Sequence, residues 1–286
     1  MKNKSFIAVI SVAFVALCLS FTLPENNTKK IGIQIYTLKD SCKANLKGTL
    51  KKVSDIGYNE IEIYGYAEGK VIGLNPSDFK TLANSLNLTI ISAHIGINSG
   101  NYTEIIEVSK QLGLNYIVIP YIPKEKWNTM DSLKAFANEL NFLSKKVREA
   151  GMTLGYHNHN FEFETVDNIT VLDYLIENTD SGMVTFEADL YWFVKAGKDP
   201  IDYFKKYPGR FELIHIKDMA KQKNYLEEKA NISTVLGTGQ INFKKIMAHS
   251  KTAGMKHYFL EQERFNNALP FDAVQKGYNY LKKADF

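Results

Sequence analysis

Residues 211–217 read Phe-Glu-Leu-Ile-His-Ile-Lys, a short apolar run that ends in ionisable side chains spaced two apart. A run of this length, rich in aliphatic residues, predicts a buried strand. Because side chains alternate along a strand, His215 and Lys217 point to the same side. The stretch therefore predicts a strand that presents ionisable groups at its carboxyl end.

Seven further apolar runs of the same kind are spread along the chain. They are Ile31–Tyr36, Glu60–Tyr64, Leu88–His94, Tyr116–Pro120, Met152–His157, Met183–Asp189 and His257–Glu261. Successive starts lie 28 to 46 residues apart, which is the length of one strand, one helix and their loops. The chain therefore reads as eight strand-and-helix units.

The stretches between the runs carry helix start and stop signals. Asn75-Pro76 and Asp199-Pro200 each combine a cap residue with proline at the first helical position. Glycines that can supply a left-handed helix end come before the next strand; they are Gly57, Gly113, Gly151 and Gly254. Eight such units without a linker predict an α/β fold, a single-domain (β/α)8 TIM barrel over residues 30–286.

Charge and motifs exclude several classes of protein. The 286 residues hold 35 Lys and Arg against 31 Asp and Glu, a net charge of +4, with no block of like charges. This balance argues against a nucleic-acid or membrane-surface partner. No glycine-rich phosphate-binding motif follows a strand run, and Gly237-Thr238-Gly239 reads as a plain loop.

The first 29 residues resemble an export signal followed by a short leader. Lys2 and Lys4 precede an apolar run over residues 6–19, which is too short for a comfortable membrane span. We expect an exported protein, periplasmic or secreted, whose mature form lacks a membrane span. A lipid-anchored or uncleaved form and a buried N-terminal helix are the alternatives.

Strands five to eight each end in ionisable residues two apart. The pairs are His157 and His159, Glu187 and Asp189, His215 and Lys217, and Glu261 and Glu263. In a barrel these strand ends meet at one mouth, and a divalent cation would offset the cost of burying so many acidic groups. Oxygen and nitrogen ligands without thiolate suit Mn²⁺, our first choice, or Mg²⁺, Co²⁺ or Zn²⁺.

Asp189, His215 and Glu261 are the first-choice ligands from this pattern. Each has an alternative role when it is taken singly. Asp189 could cap a loop, His215 could be a core histidine, and Glu261 could pair with Arg264 or Lys217.

The other strand ends and loops offer groups for binding a sugar. Donors, acceptors and aromatic faces of this kind suit sugar hydroxyls and rings. The predicted substrate-binding residues are Gln34, Glu62, His94, Tyr121, Trp192 and Glu263. A structural role is equally well supported for each one alone.

At these residues the chain resembles the sugar phosphate isomerase/epimerase family of xylose-isomerase-like barrels. The matching segments are Gly32–Asp40, Glu60–Gly65, Ser92–His94, Tyr156–Phe163, Asp189–Trp192, His215–Asp218 and Tyr258–Glu263. The resemblance implies a metal set of Glu, Asp, His and Glu from strands five to eight. Asp189, His215 and Glu261 match it, whereas His157 stands where the family has its first Glu. His157 is therefore the predicted fourth ligand.

The resemblance implies a divalent-metal-dependent isomerase or epimerase of a carbohydrate. A proton next to a carbonyl would be removed and the enediolate stabilised by the metal. Glu261 would be ligand and base, His159 base or acid, and Lys217 a stabiliser of developing charge. His157 in place of Glu argues against a simple two-glutamate epimerase.

Two other functions remain open. A metal-dependent lyase or hydratase acting on a 3-keto-sugar or 3-keto-glycoside is favoured by export and by His157. A non-catalytic sugar-binding barrel would share the aromatic mouth. The sequence leaves the sugar and the oligomeric state, including a homo-oligomer, undecided.

Overall fold

The computed structural model describes residues 29–227, 231–265 and 268–286. The predicted signal, apart from its last residue, lies outside these residues. Eight parallel strands form a closed barrel. They are β1 Gly32–Gln34, β2 Glu60–Tyr64, β3 Thr89–His94, β4 Tyr116–Ile119, β5 Thr153–His157, β6 Val184–Asp189, β7 Leu213–Ile216 and β8 His257–Leu260. The predicted (β/α)8 TIM barrel is confirmed, and each strand lies within its predicted run.

Helices surround the barrel and connect successive strands. They are α1 Lys39–Ile56, α2 Pro76–Ser85, α3 Tyr102–Leu112, α4 Met130–Glu149, α5 Val171–Glu177, α6 Leu190–Lys195, α7 Pro200–Lys206, α8 Phe243–Met247, α9 Ser250–Ala253 and α10 Pro270–Lys283. Asp199 caps α7 by accepting from the Ile201 amide at 2.9 Å, as the Asp-Pro signal predicts. Among the described residues, no helix has the length and apolar character that crossing a bilayer requires.

β1 is shorter than its predicted run because the Gln34 side chain accepts a hydrogen bond from the Tyr36 amide at 3.0 Å. That bond begins a 3₁₀ helix over Ile35–Leu38, so Tyr36 follows the strand instead of ending it. A side chain that bonds its own backbone two residues on competes with strand pairing. The strand therefore stops at Gln34.

Inside the barrel, an apolar layer lies below a polar one. Ile91, Val118, Leu213 and Phe259 pack together in the lower layer and are buried. Phe259 lies directly against Gly32, where an added Cβ would come within 2.5 Å of the phenyl ring. The apolar floor leaves the carboxyl ends of the strands as the place where polar groups converge.

Residues 219–240 lie between the seventh and eighth strand runs, where the sequence predicts a loop with a short helix, and the described part of this segment departs from that prediction. Asp218–Met219 pairs antiparallel with Ser233–Thr234, and residues 219–227 and 231–240 contain no helix. The Asp218 carboxylate accepts from the amides of Gly237 at 3.0 Å and Gly239 at 2.8 Å. It also accepts from its neighbour Met219 at 2.8 Å and from Ile241 at 3.3 Å. This carboxylate, instead of a helix, organises the segment.

Candidate metal centre and substrate cavity

A cavity of about 480 Å³ opens at the carboxyl ends of the strands, within the range of small-molecule sites. Its lining combines charged, imidazole and aromatic side chains. The lining residues are Tyr36, Tyr64, Gly65, His94, Pro120, His157, His159, Trp192, Lys217, Glu261 and Glu263. Barrel closure thus gathers all four of the predicted ionisable strand ends at or just beneath one cavity.

The two carboxylate oxygens of Asp189 have different roles: one caps a helix, and the other faces the predicted ligands. Oδ1 caps α6 by accepting from the amides of Tyr191 at 2.9 Å and Trp192 at 3.3 Å. Oδ2 lies 3.3 Å from Lys217 Nζ and 4.0 Å from His157 Nε2. The cap holds the carboxylate in one orientation, and Oδ2 is the oxygen placed to bind a cation.

His215 and Glu261 complete the predicted ligand set. His215 Nδ1 lies 3.3 Å from Glu261 Oε2, and the ligand atoms of Asp189, His215 and Glu261 all lie within 4.8 Å of one another. Burial favours the neutral acid, yet Lys217 and His215 hold the pKa of Glu261 far below its usual range. Burial raises the pKa of Asp189 to about 6, against the opposing charge of Lys217.

These donors fit a divalent cation. Two carboxylates and the His215 imidazole, with His157 Nε2 4.0 Å from Asp189 Oδ2, form a set without thiolate that first-row divalent metals accept. Two buried atoms next to the set, Glu187 Oε1 and His159 Nδ1, have no hydrogen-bond partner among the described residues. Buried polar atoms are rarely left unpaired, so this unsatisfied polarity is consistent with a site that takes a cation and a polar ligand.

Lys217 lies on the wall of the cavity and is almost fully buried. Its ammonium contacts Glu261 Oε2 at 3.1 Å and also Glu263, besides its contact with Asp189. It lies 5.0 Å from the centre of the Trp192 ring. Burial alone would lower the pKa of Lys217, but the three carboxylates raise it well above the usual value. The Lys217 side chain therefore stays cationic beside Asp189 and Glu261.

His159 also lines the cavity. Its ring stacks on Phe161 with centroids 5.6 Å apart and lies 5.6 Å from Trp192. Burial, with a smaller contribution from Lys217, lowers the pKa of His159 to about 3. The imidazole is therefore neutral near pH 7. Its backbone amide donates to Glu162 Oε2 at 2.8 Å, which fixes its position.

The structure places two predicted substrate-binding residues beneath the cavity instead of on its wall. Gln34 and Glu62 are fully buried, and Gln34 Nε2 donates to Glu62 Oε1 at 2.7 Å. His215 Nε2 lies 2.7 Å from the same oxygen, so Glu62 supports a predicted ligand. His94, Trp192 and Glu263 do line the cavity. Tyr121, 57% exposed, lies at the rim with its ring 6.3 Å from that of His159.

Glu187 is the central residue that sequence reasoning did not select. Its Oε2 lies 2.7 Å from His94 Nε2, 2.9 Å from His157 Nδ1 and 3.3 Å from His215 Nε2. Burial and the neighbouring Glu62 raise the pKa of Glu187 to about 7. The two-residue spacing from Asp189 was the available signal, since it puts both side chains on the inner face. Ser92, which donates a hydrogen bond to Glu62, and Glu162, which accepts one from the His159 amide, have no spacing in the sequence that indicates these contacts.

The known proteins that this chain resembles share one fold, but their names describe two kinds of enzyme, isomerase/epimerase and dehydratase. A model of the xylose isomerase-like TIM barrel matches residues 50–284. A crystal structure of a sugar phosphate isomerase/epimerase from Parabacteroides distasonis superimposes with a TM-score of 0.75 at 30% identity, covering 90% of this chain and 99% of that one.

Two of the curated relatives that the chain matches are inosose dehydratases. The protein from Lacticaseibacillus casei is 30% identical over 165 residues, 54% of this chain and 55% of its own length. The match thus spans about half of that relative. The protein from Geobacillus thermodenitrificans is 25% identical over 263 residues, 79% of this chain and 87% of its own.

Proposed function

The chain belongs to the xylose isomerase-like TIM barrel family, and on that premise we propose that it is a divalent-metal-dependent lyase. Its proposed substrate is a cyclic keto-sugar, keto-glycoside or keto-polyol, from which it removes water or an alcohol. The proposed ligands are His157, Asp189, His215 and Glu261. The relatives that carry a dehydratase name support this class of reaction.

The observation that carries the proposal is the imidazole of His157 at the end of β5. Its Nδ1 is bonded to Glu187 at 2.9 Å, and burial lowers its pKa well below the usual value. Epimerisation needs one group to remove a proton and a second to return one on the other face. Elimination needs only one group, which can take the proton and pass it to the leaving oxygen. The end of β5 carries an imidazole instead of a carboxylate that could serve with Glu261 as the second proton-transfer group. This difference favours elimination.

A bound divalent cation would polarise the substrate carbonyl and make the neighbouring C–H more acidic. We assign removal of that proton to His159, which lines the cavity, and the Lys217 ammonium would offset the negative charge that develops. His159 then returns the proton to the departing oxygen. The C–H and C–O bonds break, a C=C bond forms, and water or an alcohol leaves.

The test is NMR in D₂O with metal-loaded protein and a panel of free sugars, keto-sugars, keto-glycosides and inososes. We expect loss of water or aglycone that a chelator abolishes. His159→Gln should lower kcat by about 10²- to 10⁴-fold. His249→Gln is the matched control, because this half-buried histidine is outside the cavity lining and its Nδ1 lies 3.3 Å from the Lys245 carbonyl oxygen.

The second candidate is a sugar isomerase or epimerase, which the Parabacteroides distasonis structure and the retained Glu261 favour. It predicts deuterium entering the sugar without elimination. If the protein binds sugars but binds no metal and converts no substrate in the panel, it is a non-catalytic sugar-binding barrel. That result would refute both enzyme proposals. Export to a compartment poor in phosphorylated sugars is part of the lyase proposal.

A further inference from the structure

Each of the two proposed imidazole ligands presents one ring nitrogen to a proposed carboxylate ligand and the other to a second buried carboxylate. His157 Nε2 faces Asp189 Oδ2 at 4.0 Å, while its Nδ1 lies 2.9 Å from Glu187 Oε2. His157 and Glu187 are also direct register partners between β5 and β6. The strand pairing itself therefore holds this carboxylate beside the ring.

His215 shows the same arrangement with its nitrogens exchanged. Nδ1 faces Glu261 Oε2 at 3.3 Å, while Nε2 lies 2.7 Å from Glu62 Oε1. Glu62 is itself held from two sides, by Gln34 Nε2 at 2.7 Å and by Ser92 Oγ, which donates to Oε2 at 2.6 Å. Both oxygens of this fully buried carboxylate are therefore engaged.

We propose that Glu187 and Glu62 are positioning residues for the metal centre. Each accepts the N–H of one ligating imidazole and so leaves His157 Nε2 and His215 Nδ1 bare for the cation. A neutral imidazole has one donor and one acceptor nitrogen, and the hydrogen bond of one decides which state the other takes. Carboxylates behind metal-bound histidines set the tautomer and the ring orientation and raise ligand basicity. The inference rests on the metal dependence in the proposed function.

His94 contacts both of the proposed positioning carboxylates. Its Nε2 lies 2.7 Å from Glu187 Oε2 and 3.1 Å from Glu62 Oε1, so it shares both carboxylates with the two ligands. The same geometry admits a rival arrangement, since His94, His157, Glu187 and His215 could together bind an ion directly. In that case Glu187 would be a ligand, and the ion would be bound by His157 Nδ1 and His215 Nε2 instead of by their other ring nitrogens.

The first test measures Zn²⁺ affinity and stoichiometry by calorimetry against a competing chelator. We expect one ion per chain, and dissociation constants about 10- to 100-fold weaker for Glu187→Gln and Glu62→Gln. Glu60→Gln is the matched control. Glu60 lies on the same strand as Glu62, is buried, and pairs with His257 Nδ1 at 2.8 Å at the other end of the barrel. We expect its affinity to equal that of the wild type.

The second test needs no substitution and so does not depend on a variant's folding. In Zn²⁺-loaded protein labelled with ¹⁵N at its six histidines, ring-nitrogen spectra should show a proton on Nδ1 of His157 and on Nε2 of His215. The opposite pattern, two ions per chain, or an unchanged affinity in folded Glu187→Gln overturns the inference while leaving a metal-dependent function intact. Wild-type protein that binds no Zn²⁺ or Mn²⁺ overturns the proposed function as well.

Discussion

Glu162 shows how burial sets the chemistry of a single side chain near the cavity. It is fully buried, and its carboxylate accepts from Tyr156 Oη at 2.7 Å and from the His159 amide at 2.8 Å. Burial outweighs these bonds and raises its pKa to about 7. The residue that positions His159 therefore binds a proton more tightly in the folded chain than in the unfolded chain.

This shift predicts that part of the stability depends on pH. A raised carboxyl pKa stabilises the folded state fully below the unfolded pKa of 4.5, and the contribution is lost as pH rises to about 7. The loss amounts to about 3 kcal/mol. Glu162→Gln should flatten the profile of unfolding free energy between these pH values, measured by urea denaturation.

Glu139 provides a control of opposite sign. Its pKa is lowered because Lys126 and the Ser99 amide outweigh partial burial. Glu139→Gln should therefore remove stability that is present above the unfolded carboxyl pKa and lost as pH falls. An unaltered slope between pH 4.5 and 7 in Glu162→Gln would contradict the first expectation.

At the scale of elements, the segment that follows β7 depends on how closely one glycine approaches Asp218. A Cβ on Gly239 would lie 2.2 Å from Asp218 Oδ1 and 2.2 Å from the Met219 carbonyl oxygen. This segment also supports the site, because Ser233 Oγ accepts from the amides of Glu263 at 3.3 Å and Arg264 at 3.0 Å. The glycines of the Gly-Thr-Gly sequence thus let the backbone pack closely around the Asp218 carboxylate.

Gly239→Ala should lower the free energy of unfolding by about 1–3 kcal/mol, because the backbone must shift to admit the methyl group. Thermal and urea denaturation measure the change. Gly96→Ala is the control, since its Cβ would meet no atom within 4 Å and its φ is not left-handed. Equal stability of the two variants would contradict this account of the segment.

At the scale of the whole molecule, the described barrel begins after the predicted leader. The basic start and apolar run within residues 1–29 predict an export signal. We expect the protein made from the full gene in a Gram-negative host to lose about 20 residues and appear in the periplasmic fraction. Intact-mass measurement checks the cleavage, and retention of residues 2–19 in cytoplasmic protein would contradict it.

The eight units and the ionisable strand ends could be predicted because both are local properties of the chain. Strand length, alternation, helix caps and the two-residue spacing of His215 and Lys217 are written in contiguous residues. In a closed parallel barrel, the ends of neighbouring strands must meet at one mouth. The fold and the predicted gathering of Asp189, His215 and Glu261 follow from that rule.

The layer beneath the cavity was decided by tertiary structure alone. Glu62 and His215 are 153 residues apart in sequence, yet barrel closure brings Oε1 and Nε2 to 2.7 Å. Which inward side chain faces a ligand and which faces a substrate depends on strand register and on depth along the barrel axis. No local pattern encodes either quantity, so the spacing that puts Glu187 on the inner face leaves its depth undecided, and the sequence does not reveal the contact of Glu62 with His215.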